Sequence, residues 1–329
     1  MATNKKKLLV TQSMAQAGMD LLKARDDIEA VRFPNAITSA DFAALLKHEA
    51  PVHGVALGVT PFSTRELDAA REMQVVARIG VGYDAVDVPA LTARNIPLMV
   101  AGTANSPSVA EQAMFMTLAL AKRGAELHAA VQDGRWHERL ERVPFDLFGK
   151  TVLIVGFGRI GTRSAKRFGA MEMNVLVYDP HVDAGAIKAA GCEPVSDLDA
   201  ALPRADFVSI HCPKTPETVN LFNAARLARM KPTAYLVNTA RGGIIDEPAL
   251  YQALTSGKLA GAGLDVFELE PTPVENALLK LPNVISAPHM AGVTREALTR
   301  MGLQTMRNIL SVFDGAPLRE NVINKEVLD

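Results

Sequence analysis

The chain has 329 residues, of which 48% are hydrophobic and 22% charged. That much apolar surface excludes an intrinsically disordered chain, and at ~150 residues per domain the length suggests about two domains. Lysine plus arginine number 35 and aspartate plus glutamate 36, a formal net charge of -1, so no global positive excess exists to hold nucleic acid or an anionic membrane. The basic run Lys5-Lys6-Lys7 reads as a solvated start to the first strand. The two cysteines, Cys192 and Cys212, form neither a C-x-x-C zinc pair nor a disulfide framework, which fits a reducing compartment. Leu8-Leu9-Val10 is too short for a signal-peptide core. No segment offers the ~20 apolar residues of a membrane helix. The expectation is a soluble, cytoplasmic protein without a metal site, a nucleic-acid partner or a membrane partner.

In chain order, Leu8-Leu9-Val10, Val55-Ala56-Leu57 and Val75-Val76-Ala77 read as strands in the first third. Val152–Val155, Val175–Tyr178, Phe207–Ile210, Tyr235–Val237 and Val284–Ile285 follow. Short continuous apolar runs mark strands buried on both faces. Separated by helix-like sequence, they predict parallel sheets built from β-α-β units, an α/β fold. No repeat of about 20–50 residues is present, and no low-complexity tract. Between the two groups of strands, Ser108-x-x-Glu111 matches a capping box. The residues after it, Val109 to Leu120, are apolar nearly all round, with Met114, Phe115, Met116, Leu118 and Leu120. A helix apolar on every side is buried on every side. This one is either a central core helix or a domain or subunit interface.

Residues 151–161 give an apolar strand followed by G-x-G-x-x-G at Gly156, Gly158 and Gly161. The first glycine permits the tight turn, the second removes a Cβ that would block a pyrophosphate, and the third lets helix and strand approach. The helix expected over roughly Arg159 to Phe168 points its N-terminal N–H groups at the phosphates. Asp179 stands 18 residues beyond Gly161 at the end of the next strand, near the ~20 expected of a ribose-binding acid. With Pro180-His181 after it and no nearby arginine, it favours NAD over NADP. About half the chain precedes this loop, unlike the N-terminal loops usual in flavoproteins and L-specific lactate or malate dehydrogenases. The Tyr-x-x-x-Lys pair of short-chain dehydrogenases is absent: Tyr83, Tyr178, Tyr235 and Tyr251 are followed four residues later by Asp87, Val182, Thr239 and Thr255.

Three further segments follow strands. They are Val237-Asn238-Thr239-Ala240-Arg241-Gly242-Gly243, Gly263-Leu264-Asp265-Val266-Phe267-Glu268-Leu269-Glu270-Pro271 and Val284-Ile285-Ser286-Ala287-Pro288-His289-Met290-Ala291-Gly292. Ligands of open α/β sheets bind beyond the carboxyl ends of strands, which would let Arg241, Glu270 and His289 converge. On position alone His211 competes with His289, and Glu268 with Glu270. A lone histidine after proline is more often structural than catalytic.

With Gly80-Val81-Gly82-Tyr83-Asp84 and the central phosphate loop, these motifs make the chain resemble the D-isomer-specific 2-hydroxyacid dehydrogenases over nearly its whole length. The resemblance implies two doubly wound parallel-sheet domains, a flavodoxin-like substrate domain (1–104 and 300–329) and a Rossmann NAD-binding domain (105–299), with an interdomain cleft. It implies Arg241, Glu270 and His289 as the catalytic three. It implies cofactor contacts at Gly156, Gly158, Arg159, Ile160, Gly161, Asp179, Cys212, Pro213, Thr239, Asp265 and Gly292, and places His211 beside the cofactor. The substrate carboxylate would meet backbone N–H groups at Val81 and Gly82 together with Arg241. A homodimer is expected through the apolar helix Val109–Leu120.

A 2-oxo acid reduced at C2 needs a proton on the forming alkoxide. Histidine titrates near neutrality, an adjacent carboxylate orients it, and a planar guanidinium suits the carboxylate and carbonyl oxygens. The expected activity is NAD-dependent hydride transfer on a small D-2-hydroxy acid or its 2-oxo acid, such as glyoxylate or hydroxypyruvate. Phosphoglycerate dehydrogenases of the family place an arginine after the third strand, where this chain has Gly58, and no regulatory domain is seen beyond the last helix. A phosphorylated substrate is therefore disfavoured, although Arg65 or Arg78 could compensate. The alternatives are a phosphoglycerate dehydrogenase and a non-catalytic NAD-sensing partner protein.

Overall fold

The computed structural model describes residues 5–141 and 143–329. It divides into two compact units: the described residues up to Asn105 together with Val293–Asp329, and Ser106–Gly292. Among the described residues, twelve strands, β1 to β12, are Lys6–Thr11, Ile28–Phe33, Gly54–Leu57, Val75–Arg78, Leu98–Met99, Thr151–Val155, Asn174–Tyr178, Glu193–Pro194, Phe207–Ile210, Tyr235–Asn238, Gly261–Leu264 and Val284–Ser286. All pair in parallel.

The first unit carries a five-stranded sheet in the order β2-β1-β3-β4-β5, the doubly wound order of flavodoxin-like folds. Successive side chains of a strand face opposite sides. Leu9 accordingly packs with Phe33, Phe42, Leu46, Val55 and Leu57, while Leu8 and Val10 pack with Ala56, Val75, Met306, Ile309 and Phe313. The last three belong to the helix Arg295–Phe313, which Thr294 caps by accepting from the Ala297 N–H at 3.0 Å. A division at residue 300 would cut this helix. Its apolar stripe lies along β1, β3 and β4, so the whole helix stands in the first unit and the division falls at 292–293.

The second unit carries a seven-stranded sheet, β12-β11-β10-β9-β6-β7-β8. Chain order reverses between β6 and β9, the topological switch point at which such sheets bind dinucleotides. Leu153 and Val155 fill one face and Val152 and Ile154 the other. The connector helix runs Ser106–Ala121. It starts two residues before the expected cap, because Pro107 suits the first turn, where its missing N–H goes unneeded. Ser108 lies inside the helix, and Glu111 accepts from Arg167 Nη2 at 2.9 Å instead of capping. The helix buries Val109, Ala113, Met116 and Leu120 but leaves Phe115 57% exposed, so one side stays open. No described helix is long and apolar enough to cross a membrane.

Candidate active site

At the switch point, the loop after β6 is shaped by its glycines. Gly156 has φ +96°, and a Cβ there would stand 2.6 Å from the Cys212 nitrogen. A Cβ on Gly161 would collide with the Gly156 carbonyl. At Gly158 a Cβ would meet nothing, so the space over that turn is open for a ligand's approach. The following helix, Gly161–Ala170, begins two residues later than expected and has no side-chain cap at Ile160. Its leading N–H groups are left for an anion. Arg159 accepts through its carbonyl from Arg163 Nη1 at 3.1 Å. Asp179, the residue after β7, accepts from the Phe157 N–H at 2.7 Å and from the His181 N–H at 2.9 Å. That fixes the carboxylate beside the turn.

The neighbouring ends of β9 and β10 hold two buried polar atoms without a hydrogen-bond partner, His211 Nδ1 and Thr239 Oγ1. Orphaned polar atoms of this kind are completed by a ligand or by water. The open turn over Gly158, the uncapped helix start and these orphans fit a bound dinucleotide. Burial pushes the His211 ring down to about 3 and the Cys212 thiol up to about 11, with the Asp179 charge adding to the latter. His211 Nε2 lies 2.9 Å from Ser209 Oγ. It is therefore neutral near pH 7. Pro213 accepts from Thr218 Oγ1 through its carbonyl.

The outer strands build a second cluster at the same sheet edge. After β10, Asn238 staples the turn: its Oδ1 accepts from the Ala240 N–H at 3.0 Å and its Nδ2 donates to the Arg241 carbonyl at 2.9 Å. Arg241 Nη1 donates to the Ala240 carbonyl at 2.7 Å. The next residue, Gly242, is pressed so closely on the Phe267 carbonyl that a Cβ would collide with it. Glu270 uses both oxygens, accepting from the Phe267 N–H at 3.0 Å and meeting His289 Nδ1 at 2.7 Å. An ionised carboxylate only accepts, so Nδ1–H donates, and Nε2 remains for other chemistry. The His289 side chain is 47% exposed.

Asp265 holds the loop that carries this histidine. Its carbonyl accepts from the His289 N–H at 2.7 Å, and its carboxylate accepts from the Met290 and Ala291 N–H groups at 2.9 and 2.8 Å. His289 stands at φ +54°, a conformation that such bonds must impose on a non-glycine residue. Burial raises the Asp265 carboxyl above its usual value, against the two N–H groups that lower it. The structure thus joins Glu270 and His289 directly and links the Arg241 turn to them through backbone packing. It sets Asp265 to clamping the loop that ends at Gly292. Asn238 and Glu247, which accepts from the Glu268 N–H and from Asn276 Nδ2, went unread as supports. An Asn before a turn was the available signal for the first.

In the first unit, the loop after β4 is anchored by Ala101 N–H to the Gly80 carbonyl at 2.7 Å and by Arg78 Nε to the Gly82 carbonyl at 3.0 Å. Among the described residues, the N–H groups of Val81 and Gly82 donate to nothing.

A doubly wound sheet with a glycine loop and an acid at its switch point defines a dinucleotide-binding protein. Residues 114–291 match the family model described as D-isomer specific 2-hydroxyacid dehydrogenase, NAD binding domain. The chain is 40% identical over 265 residues to a D-3-phosphoglycerate dehydrogenase of Archaeoglobus fulgidus, covering 80% of this chain and 50% of that protein. It is 38% identical over 277 residues to a glyoxylate reductase of Korarchaeum cryptofilum, covering 83% of each. The crystal structure of a glyoxylate reductase from Paecilomyes thermophila superposes with a TM-score of 0.87 at 28% identity, covering 98% of this chain and 99% of that one. The chain belongs to the D-isomer-specific 2-hydroxyacid dehydrogenase family, and the dinucleotide its loop is built for is NAD. It spans 50–59% of the length of the curated D-3-phosphoglycerate dehydrogenases it matches.

Proposed function

We propose that this protein interconverts a small 2-oxo acid and its D-2-hydroxy acid with NAD, glyoxylate and hydroxypyruvate being the substrates to try first. The observation that carries the reading is the 2.7 Å contact between Glu270 and His289. A pure NAD-sensing module has no need of a carboxylate-held imidazole. When bound, NAD supplies hydride exchange with C2 of the acid. His289 gives its Nε2 proton to the alkoxide in reduction and takes it back in oxidation. Glu270 holds the ring through Nδ1. Arg241 binds the carboxylate and carbonyl oxygens by its planar fork. Gly156, Gly158, Arg159, Ile160, Gly161, Asp179, Cys212, Pro213, Thr239, Asp265 and Gly292 line the dinucleotide. Asp179 selects NAD by repelling a 2′-phosphate.

The test is NADH oxidation with a panel of 2-oxo acids, repeated with NADPH. Turnover with NADH supports the reading, and none with any acid refutes it. Equal or better kcat/KM with NADPH contradicts the role of Asp179. Similarity to D-3-phosphoglycerate dehydrogenases favours a second reading, the phosphorylated 2-oxo acid, which the same panel decides.

We further propose a homodimer. Phe115, Val131, Trp136, Leu140, Val143 and Phe148 are all exposed within one stretch of chain in the second unit, and burying large apolar side chains of this kind favours a partner. Light scattering at micromolar concentration tests this; a monomer contradicts it.

A further inference from the structure

Glu270 sits on an exposed loop. Val266 and Phe267 are buried where the chain leaves β11, but Leu269 and Val274 beyond them are 64% and 78% exposed. Packing therefore does not fix the part of the loop that carries the carboxylate. Among the described residues, two side chains from outside 266–276 make hydrogen bonds to this segment, those of His289 and Glu247.

Glu247 opens the helix Glu247–Thr255. Its backbone is fixed there, because Asp246 caps that helix by accepting from the Ala249 N–H at 2.9 Å. With the cap supplied by Asp246, the Glu247 carboxylate is not needed by its own helix and reaches the loop instead. One oxygen accepts from the Glu268 N–H, two residues before Glu270, and the other from Asn276 Nδ2 at 3.1 Å. Asn276 is itself held, since its Oδ1 accepts from the N–H of buried Leu278 at 3.0 Å. One carboxylate thus ties both ends of the segment 268–276. It has an acceptor oxygen for each bond, whereas a side-chain amide has only one oxygen.

The tolerance at the other end is small. Glu270 meets His289 Nδ1 at 2.7 Å, and such a contact is no longer a hydrogen bond by ~3.6 Å. A loop displacement of about 1 Å would therefore release the imidazole, and misplacement on that scale can cost ~10²-fold in rate.

We propose that Glu247 is a positioning residue for proton transfer, acting through Glu270 by fixing the loop from which Glu270 holds His289. This rests on the reading of Glu270 and His289 above and adds to it the group that sets their geometry.

The experiment is a double-mutant cycle on the full chain. Glu247→Gln and Glu247→Ala are each made alone and with Glu270→Gln. kcat and KM are measured with NADH and the best 2-oxo acid of the panel, and the NADH dissociation constant by fluorescence. The expected result is a kcat about tenfold lower in Glu247→Gln and lower again in Glu247→Ala, with KM and NADH binding near those of the wild type. In the Glu270→Gln background the same substitutions should lower kcat little further, because residues that act through one contact are not additive. Should the alanine variant fail to fold, the glutamine variant decides. An unchanged kcat overturns the proposal. So do losses that multiply in full with Glu270→Gln, or a loss carried by KM or NADH binding. A wild type that reduces no 2-oxo acid, or a Glu270→Gln with full kcat, overturns the reading of the catalytic pair itself.

Discussion

Two histidines follow strands at the same edge of the seven-stranded sheet, His211 after the central β9 and His289 after the outer β12. Their surroundings give them opposite chemistry. His211 sits where the sheet is covered on both faces, and burial drives its ring down to about 3. His289 lies half-exposed on an outer loop, with a carboxylate on one nitrogen. Under the proposed mechanism, strand-end position does not select the proton carrier; burial and the available partner do.

The comparison can be sharpened by removing what makes the sites different. Glu270→Gln keeps the size of the side chain but weakens the hold on Nδ1. We expect kcat to fall about 10–100-fold with the NADH dissociation constant near that of the wild type, read by nucleotide fluorescence; unchanged kcat would count against an orienting role. His211→Gln keeps a neutral polar group, and kcat should fall less than tenfold. A loss of several orders of magnitude in that variant would erase the distinction between the two histidines.

A smaller effect lies at the opposite end of the sheet. Asp206 is partly buried, which raises its carboxyl, but the Lys231 ammonium at 2.8 Å and the Thr151 N–H at 2.9 Å outweigh this and hold it below the usual range. A carboxyl lowered by folding stabilises the fold above its unfolded pKa, and that contribution disappears as pH falls through the folded value. Asp206→Asn should thus cost ~1 kcal/mol at pH 7 and less at an acid pH below the usual carboxylate range. Urea midpoints at the two pH values measure it, and equal losses at both would contradict the sign.

Legibility in the sequence followed burial. The central strands announced themselves as continuous apolar runs because both faces are covered. The strands that went unread, β2, β5 and β8, all lie at sheet edges, where Ile28–Phe33 is broken by the charged Glu29 and Arg32 and the other two hold only two residues each. The phosphate loop was legible because its glycines answer to steric demands of the backbone, which the local sequence must encode. Glu270 and His289 were identified by resemblance. The supports around them, Asn238, Asp265 and Glu247, act on backbone groups brought close only by folding.

The most direct test of the central claim is His289→Ala, assayed for kcat with a 2-oxo acid and, separately, for NADH binding by fluorescence. The account predicts a rate loss of roughly 10²–10⁴-fold with NADH binding largely kept. Retained turnover would contradict it, and so would a rate loss explained entirely by failure to bind NADH.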